Sequence, residues 1–311
     1  MATMKLLSIV VPCYNEEESI PLFYDKTSQI TAKMPIKTEY IFVNDGSSDE
    51  TLKELQQLHD KHSEAHYISF SRNFGKEAAL YAGLQKTKGD YVVVMDADLQ
   101  DPPEFLPKMY DLLETGDWDC VGTRRVDRKG EKAVKSWLSD AFYKVVNKVS
   151  TTPILSGVRD FRMMTRQMVD SVLSLKENDR FSKGLFSWVG YRVTYLNYHN
   201  VERVAGESHW STWKLFQYAF SGIADFSLVP LDFAAWIGGI SFIVSVIALI
   251  AIVIRHFMDP TAAIVGWAST VSIILLIGGL QLLCLGVIGR YIGKIFMQVK
   301  HRPIYIVQEE K

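Results

Sequence analysis

The sequence carries no surplus of charge: 34 Lys and Arg against 35 Asp and Glu leave a formal net charge of −1 over 311 residues. That balance supplies no basic field and excludes a protein built to bind nucleic acid by neutralising phosphates. Cysteine is scarce. Cys13, Cys120 and Cys284 are odd in number and far apart, without metal-ligand spacing. They exclude a disulfide framework and a structural zinc site, and fit buried thiols in a reducing compartment. The N-terminus has no apolar leader, because Met1–Lys5 runs into a short strand-like stretch closed by Pro12. No signal peptide is expected.

Charge is also missing locally. The run 231–254 contains Asp232 alone, and the run 262–289 contains no charged residue. Each is long enough to cross a hydrocarbon core of about 30 Å at about 1.5 Å per residue, so two transmembrane helices are predicted. Without intramembrane charge they offer little path for a polar solute, which argues against a flippase. Beyond the second run come Arg290, Lys294, Lys300, His301 and Arg302, against Arg255 in the short connection. The positive-inside rule then places both termini, the residues before 231 and the basic tail 290–311 in the cytoplasm of a multi-pass membrane protein. Gly278-Gly279 in the second run would suit helix–helix packing and leaves homo-oligomerisation open.

Residues 1–230 have a different composition. Strand-like runs at Leu6–Pro12, Glu39–Val43, Tyr67–Phe70, Tyr91–Met95 and Asp119–Thr123 alternate with helical stretches ending near Lys33, His62, Thr87 and Thr115. Asp49 has the character of an N-cap for the second helix. Strict alternation predicts an α/β fold with a parallel sheet and right-handed crossovers. Stretches near 131–150 and 210–228 combine aromatic with basic residues and suit amphipathic helices in a membrane interface, or core-facing helices.

The strand ends carry the chemistry. Successive runs stop at Tyr14-Asn15-Glu16, at Asp45, at Arg72-Asn73 and at Asp96-Ala97-Asp98. Ligands of open α/β sheets bind beyond the carboxyl ends of the strands. Two aspartates one residue apart at the end of a Val-rich strand suit a hard divalent cation, Mg²⁺ or Mn²⁺, that shares its oxygen ligands with phosphates.

Taken together, Val11–Glu16, Val43–Asp49, Ser71–Lys76, Asp96–Glu104, Gly157–Arg162 and Arg203–Ser208 resemble glycosyltransferase family 2. Within it they are similar to the polyprenyl-phosphate glycosyltransferases: dolichyl-phosphate mannose or glucose synthases and bacterial bactoprenol glucosyltransferases. The resemblance covers residue 5 to about residue 220. It implies a GT-A (Rossmann-like) nucleotide-sugar domain over 1–230 plus a C-terminal two-helix transmembrane hairpin. Pro12, Tyr14 and Glu16 would border base and ribose, Asp45 would hydrogen-bond the base, and Asp96 would face the nucleoside. Asp98 and Gln100 would hold Mg²⁺ or Mn²⁺ on the donor diphosphate, and Lys76 would reach the donor or stay solvated.

The implied acceptor, a polyprenyl phosphate, is nearly a dianion at neutral pH, with a second pKa near ~6. Positioning two anions together then matters more than a strong base. Arg124, Arg125, Arg159, Arg162 and Arg203, with Ser208, would meet phosphate, since guanidinium binds it bidentately. Asp160 would be either the catalytic carboxylate or a group orienting Arg162. His209 departs from the basic residue usual in relatives. The expected activity is inverting hexose transfer, glucose from UDP-glucose, to undecaprenyl phosphate at the bacterial plasma membrane. Other donors (UDP-GlcNAc, UDP-Gal, GDP-mannose) and a non-catalytic nucleotide-sugar-binding scaffold are the alternatives. A processive polysaccharide synthase is disfavoured because no Gln-x-x-Arg-Trp signature occurs.

Overall fold

The computed structural model describes residues 4–126, 157–198, 229–258 and 266–311. The expected interface helices near 131–150 and 210–228, and the candidate ligands Arg203 and Ser208, lie outside the described residues. The chain forms two compact units: one comprises residues 1–222 with 302–311, the other residues 223–301.

The first unit is an eight-stranded sheet with helices on both faces. In chain order it contains β1 (Leu6–Cys13), α1 (Ser19–Thr31), β2 (Lys37–Asn44), α2 (Thr51–Lys61), β3 (Ala65–Phe70), α3 (Lys76–Lys86) and β4 (Tyr91–Val94). There follow α4 (Leu106–Glu114), β5 (Cys120–Arg125), β6 (Val158–Thr165), α5 (Arg166–Ser174), α6 (Ser182–Trp188) and β7 (Val193–Tyr198). The sheet order is β7-β5-β6-β4-β1-β2-β3-β8, where β8 is Val307–Glu310.

The central strands are apolar on both sides because both faces are covered. Leu7, Ile9, Val11 and Cys13 of β1 pack with Ile20 and Phe23 of α1, Leu55 of α2, and Leu106 and Met109 of α4. Val10 points the other way, into Leu80 and Leu84 of α3, Val169 and Val172 of α5, and Phe186 of α6. Full burial of each such side chain contributes about 1.5–3 kcal/mol. Gly83 sets the approach of α3: a Cβ there would lie 2.3 Å from Val10 Cγ1. At the start of α2 the N-cap is Glu50 rather than the expected Asp49, which sits one position earlier with Oδ1 accepting the Thr51 N–H at 3.1 Å.

The sheet is mixed, which corrects the expectation of an all-parallel one. β1, β2, β3 and β4 are parallel, but β6 inserts antiparallel between β4 and β5, and β8 is antiparallel on β3. The reversal of β6 has a positional consequence. A parallel strand would start at the far edge, whereas β6 starts at the carboxyl edge of β4 and brings Arg159 and Asp160 there. Its register sets Val94 opposite Arg162. β7 runs parallel to β5 with Arg125 opposite Tyr198, so Tyr198 ends at that same edge.

The described residues of the second unit form a pair of helices, α7 (Val229–Met258) and α8 (Trp267–Val299). At 30 and 33 residues they are about 45 and 50 Å long. Each is long and apolar enough to cross a membrane by length and composition. Phe233, Trp236, Leu276 and Leu282 are largely exposed on them. α8 runs to Val299, past the expected end at 289, so Arg290 and Lys294 are helical rather than part of a tail. The remainder of that tail is not loose either, since β8 completes the edge of the sheet.

Candidate active site

Two loops at the carboxyl edge are clamped together by Asp45. Its Oδ1 accepts the Phe74 N–H at 2.6 Å and its Oδ2 the Gly75 N–H at 2.9 Å. Burial raises the Asp45 carboxyl pKa, while these N–H groups and Arg72 oppose the rise. Gly46, at φ +63°, is where the loops touch: a Cβ there would meet the Arg72 carbonyl carbon at 2.3 Å. Asn15, at φ +54°, adds a third loop, with Oδ1 accepting the Ser48 N–H at 2.9 Å and its own N–H donating to Ser47 Oγ at 2.9 Å. The Glu16 N–H donates to Thr51 Oγ1 at 2.9 Å. Tyr14 is exposed beside this cluster and Pro12 half-buried within it.

Next along the edge stands a charge cluster. Lys76, the first residue of α3, places Nζ 2.7 Å from Asp96 and 2.6 Å from Asp160. Lys183 of α6 lies 3.8 Å from the other Asp160 oxygen. Burial pushes the Asp160 carboxyl pKa up, but Lys76 and Lys183 outweigh it and hold that carboxyl well below the ordinary range. Burial likewise opposes the Lys76 charge, and Asp160 and Asp96 reverse that effect, so Lys76 stays an ammonium.

Arg162 is buried and committed to backbone. It donates to the Arg159 carbonyl at 3.1 Å and to the Asp160 carbonyl at 3.4 Å, with its guanidinium 4.2 Å from the Phe186 ring centre. Asp160 therefore spends its carboxylate on two lysines, and Arg162 adds charge from behind.

The acidic turn follows. Asp98 is buried, and its Oδ1 accepts the Gln100 N–H at 3.1 Å across Leu99, which has φ +55°. Gln100 Oε1 accepts from Arg159 at 3.3 Å, and Arg159 Nε also donates to Asp101 Oδ1 at 3.1 Å. Tyr198 donates to that same Asp101 oxygen. Among the described residues, Asp101 Oδ2 is buried without a partner. Burial raises the Asp101 pKa against the opposing charge of Arg159. Arg124, at the end of β5, is half-buried near the start of β6, opposite Val158.

The expected site residues within the described chain thus gather along one edge, in the order Tyr14 and Asp45, Lys76 with Asp96 and Asp160, then Asp98, Gln100 and Arg159. Sequence reasoning gave no role to Lys183, Tyr198 or Asp101. Asp101 had a signal in the Asp98–Asp101 turn itself, but Lys183 and Tyr198 arrive through α6 and β7, which carry no motif. A divalent cation fits the acidic turn on donor chemistry, since Asp98 and Gln100 present one carboxylate and one amide oxygen. No group of three or more His, Cys, Asp or Glu suited to a metal exists among the described residues. An octahedral ion there needs diphosphate oxygens and water to complete its shell.

Comparison with known proteins places this edge in context. The model of Glycosyl transferase family 2 matches residues 8–173, which span β1 to α5, and the chain belongs to that family. It is a glycosyltransferase. The chain is similar over nearly its whole length to the bactoprenol glucosyl transferase of Shigella phage SfV, at 40% identity over 98% of this chain and 99% of the relative. A prophage bactoprenol glucosyl transferase homolog of Escherichia coli (strain K12) is 38% identical over 98% and 99%. Among solved structures, a mannosyltransferase from Pyrobaculum calidifontis in complex with GDP-Man and Mn²⁺ superposes with a TM-score of 0.51 at 20% identity. That match covers 72% of this chain and 64% of the other, and it establishes the GT-A fold alone.

Proposed function

We propose that the protein transfers glucose from UDP-glucose to undecaprenyl phosphate, with inversion at the anomeric carbon, on the cytoplasmic face of the bacterial plasma membrane. The observation that carries this reading is the near-complete match to bactoprenol glucosyl transferases, which takes in both the polar sheet edge and the apolar helix pair. Asp98 and Gln100 would hold Mg²⁺ or Mn²⁺, which when bound neutralises charge on the departing diphosphate. Lys76 supplies a fixed positive charge beside the donor carboxylate Asp96.

The acceptor needs no proton removed. A phosphate monoester is largely dianionic above pH ~6, and Asp160, held ionised by two lysines, acts as an electrostatic anchor for them. Transfer forms the bond from acceptor phosphate oxygen to the anomeric carbon and breaks the one to UDP. Arg124 and Arg159 are suited to hold phosphate, and Arg203 with Ser208 would join them. The pairing of β8 with β3 supports placing the segments before and after the helix pair on one side: the chain leaves the first unit for two helices and rejoins the same sheet.

The deciding experiment offers purified protein, Mn²⁺ and undecaprenyl phosphate a panel of labelled nucleotide sugars. Lipid-phosphate-linked glucose from UDP-glucose alone is the expected product. Label transfer only from a GDP sugar overturns the donor, and donor binding with no turnover on any acceptor revives the scaffold reading.

A further inference from the structure

We propose that the C-terminal segment, through Tyr305, positions the loop that binds the donor base and thereby sets donor affinity; this rests on the reading of Asp45 as a base-pocket residue. The segment is firmly tied to β3. The Lys311 and Tyr67 backbones exchange hydrogen bonds at 3.0 and 3.1 Å. Glu309 accepts from Tyr67 Oη and, at 3.2 Å, from Gln56, and Glu310 meets Lys86 at 2.8 Å. The register shifts between Ser69 and Phe70, where β3 passes into the loop 71–75.

At that shift the segment reaches toward the site by two routes. The Ser71 N–H donates to the Ile306 carbonyl at 3.0 Å, which fixes the first loop residue. The Tyr305 ring stacks on Phe70, with centroids 4.8 Å apart and planes 18° apart, and Phe70 meets Phe74 edge-on at 5.8 Å. Phe74 carries the N–H that donates to Asp45 at 2.6 Å. Arg72 covers the Phe74 ring at 4.0 Å. A continuous column of rings therefore runs from Tyr305 to the carboxylate at the base pocket.

Phe70 belongs to the core and Tyr305 packs against its rim, but the Tyr305 ring is separable from the β8 ladder. β8 itself begins at Val307, and its ladder to β3 does not use the Tyr305 side chain. Tyr305 Oη donates to Gln85 of α3 at 2.7 Å, which orients the ring without bearing the strand. Aromatic offset and edge-to-face pairs have preferred geometries that fix one ring against the next. Removing the first ring frees Phe70 and Phe74 to shift and loosens the loop amides that hold Asp45. Lys76 keeps its ion pairs to Asp96 and Asp160, so the larger change is expected in donor affinity and the smaller in turnover.

The test uses the full chain in detergent or nanodiscs, with UDP-glucose and undecaprenyl phosphate varied in turn and UDP binding measured by calorimetry. In Tyr305→Ala the UDP-glucose KM and the UDP Kd are expected to rise about fivefold, equivalent to about 1 kcal/mol, while kcat and acceptor KM stay within about twofold. Tyr305→Phe, which keeps the ring and loses only the Gln85 hydrogen bond, is expected to stay nearer the parent than Tyr305→Ala. Amide exchange of residues 71–75 should quicken in Tyr305→Ala with β1 and β4 unchanged. An unaltered donor KM, a fall in kcat alone, or exchange that quickens throughout the sheet overturns the proposal. Asp45→Asn separates the two readings: lost UDP affinity there with none lost in Tyr305→Ala overturns the strap alone, and no loss in either overturns the base-pocket reading as well.

Discussion

Lys76 Nζ lies 2.6 Å from Asp160 and so joins the first turn of α3 to the first residues of β6. The same nitrogen reaches Asp96 at 2.7 Å. One cation therefore holds two carboxylates, from two different strand ends, at a single point. Lys76→Met leaves those carboxylates facing each other. Removing one partner of a buried pair costs about 3–5 kcal/mol, and an exposed pair about 0–1 kcal/mol. Lys76 is 37% exposed and its partners about 20%, which places the loss near 2 kcal/mol by interpolation. That figure is a loss of folding stability, expected as a lower Tm, and loss of the fixed charge beside Asp96 should separately lower kcat/KM for UDP-glucose, measured by UDP release.

The pH profile separates an anchoring role for Asp160 from a general-base role. Its folded pKa is depressed below the ordinary carboxylate value, so the stability it contributes is fully present above pH ~3.9 and is lost only as pH falls below that. No titration of Asp160 falls in the working range. The acceptor phosphate does titrate there, near pH ~6. kcat/KM for the acceptor should rise through about pH 6, and Asp160→Asn should lower the amplitude and leave that inflection in place. Disappearance of the inflection in Asp160→Asn would restore the general base.

The proposed ion at Asp98 and Gln100 would have two protein oxygens and makes transfer depend on a divalent metal. EDTA should abolish transfer, and Mn²⁺ or Mg²⁺ should restore it. Asp98→Ala removes the one carboxylate and is expected to lower kcat at least about a hundredfold, since the ion supplies several kcal/mol of charge stabilisation. Gln100→Ala should mainly raise the metal concentration needed for half-maximal rate, by about 10–100-fold. Transfer that persists through both EDTA and Asp98→Ala would remove the metal from the reaction.

Much of this site was legible because it is local. Strand β4 reads as Tyr91–Val94 and its acidic turn follows within six residues, so pattern and chemistry sit in one window. Lys76, Asp96 and Asp160 were each visible as strand-end or motif residues. Their meeting was not, because it depends on β6 running antiparallel into the gap between β4 and β5, a choice of register that no local periodicity encodes. The end of the chain was misread for a different reason. Lys300, His301 and Arg302 marked a charged tail, but the run Ile304-Tyr305-Ile306-Val307 behind them has the β-branched and aromatic character of an edge strand. Only the tertiary partner, the open edge of β3, decides between those readings.

Asp101 and Arg159 form an enclosed ion pair, with the Asp101 side chain 1% exposed. Asp101→Ala strands Arg159 and releases Tyr198, a change expected to cost about 3 kcal/mol. For a domain of this size that shifts Tm by roughly 6–12 °C. Because Arg159 also donates to Gln100, the variant should show a raised metal requirement in addition to its lower Tm. Asp101→Asn keeps an acceptor for both partners and should lose less on both measures.

The orientation in the membrane can be tested through the same strand that completes the sheet. β8 follows α8 in the chain yet hydrogen-bonds to β3, so any bilayer crossings between Tyr198 and Val307 must be even in number. One crossing would strand the tail on the side opposite its partner. A cysteine at Gln308→Cys, which is exposed at the sheet edge, should resist a membrane-impermeant maleimide in intact cells and react after lysis. One at Pro260→Cys, between the two helices, should react in intact cells. Cys13 and Cys120 are buried and contribute little background. Labelling of Gln308→Cys in intact cells would reverse the orientation, and labelling of both or neither before lysis would mean that the helix pair does not span.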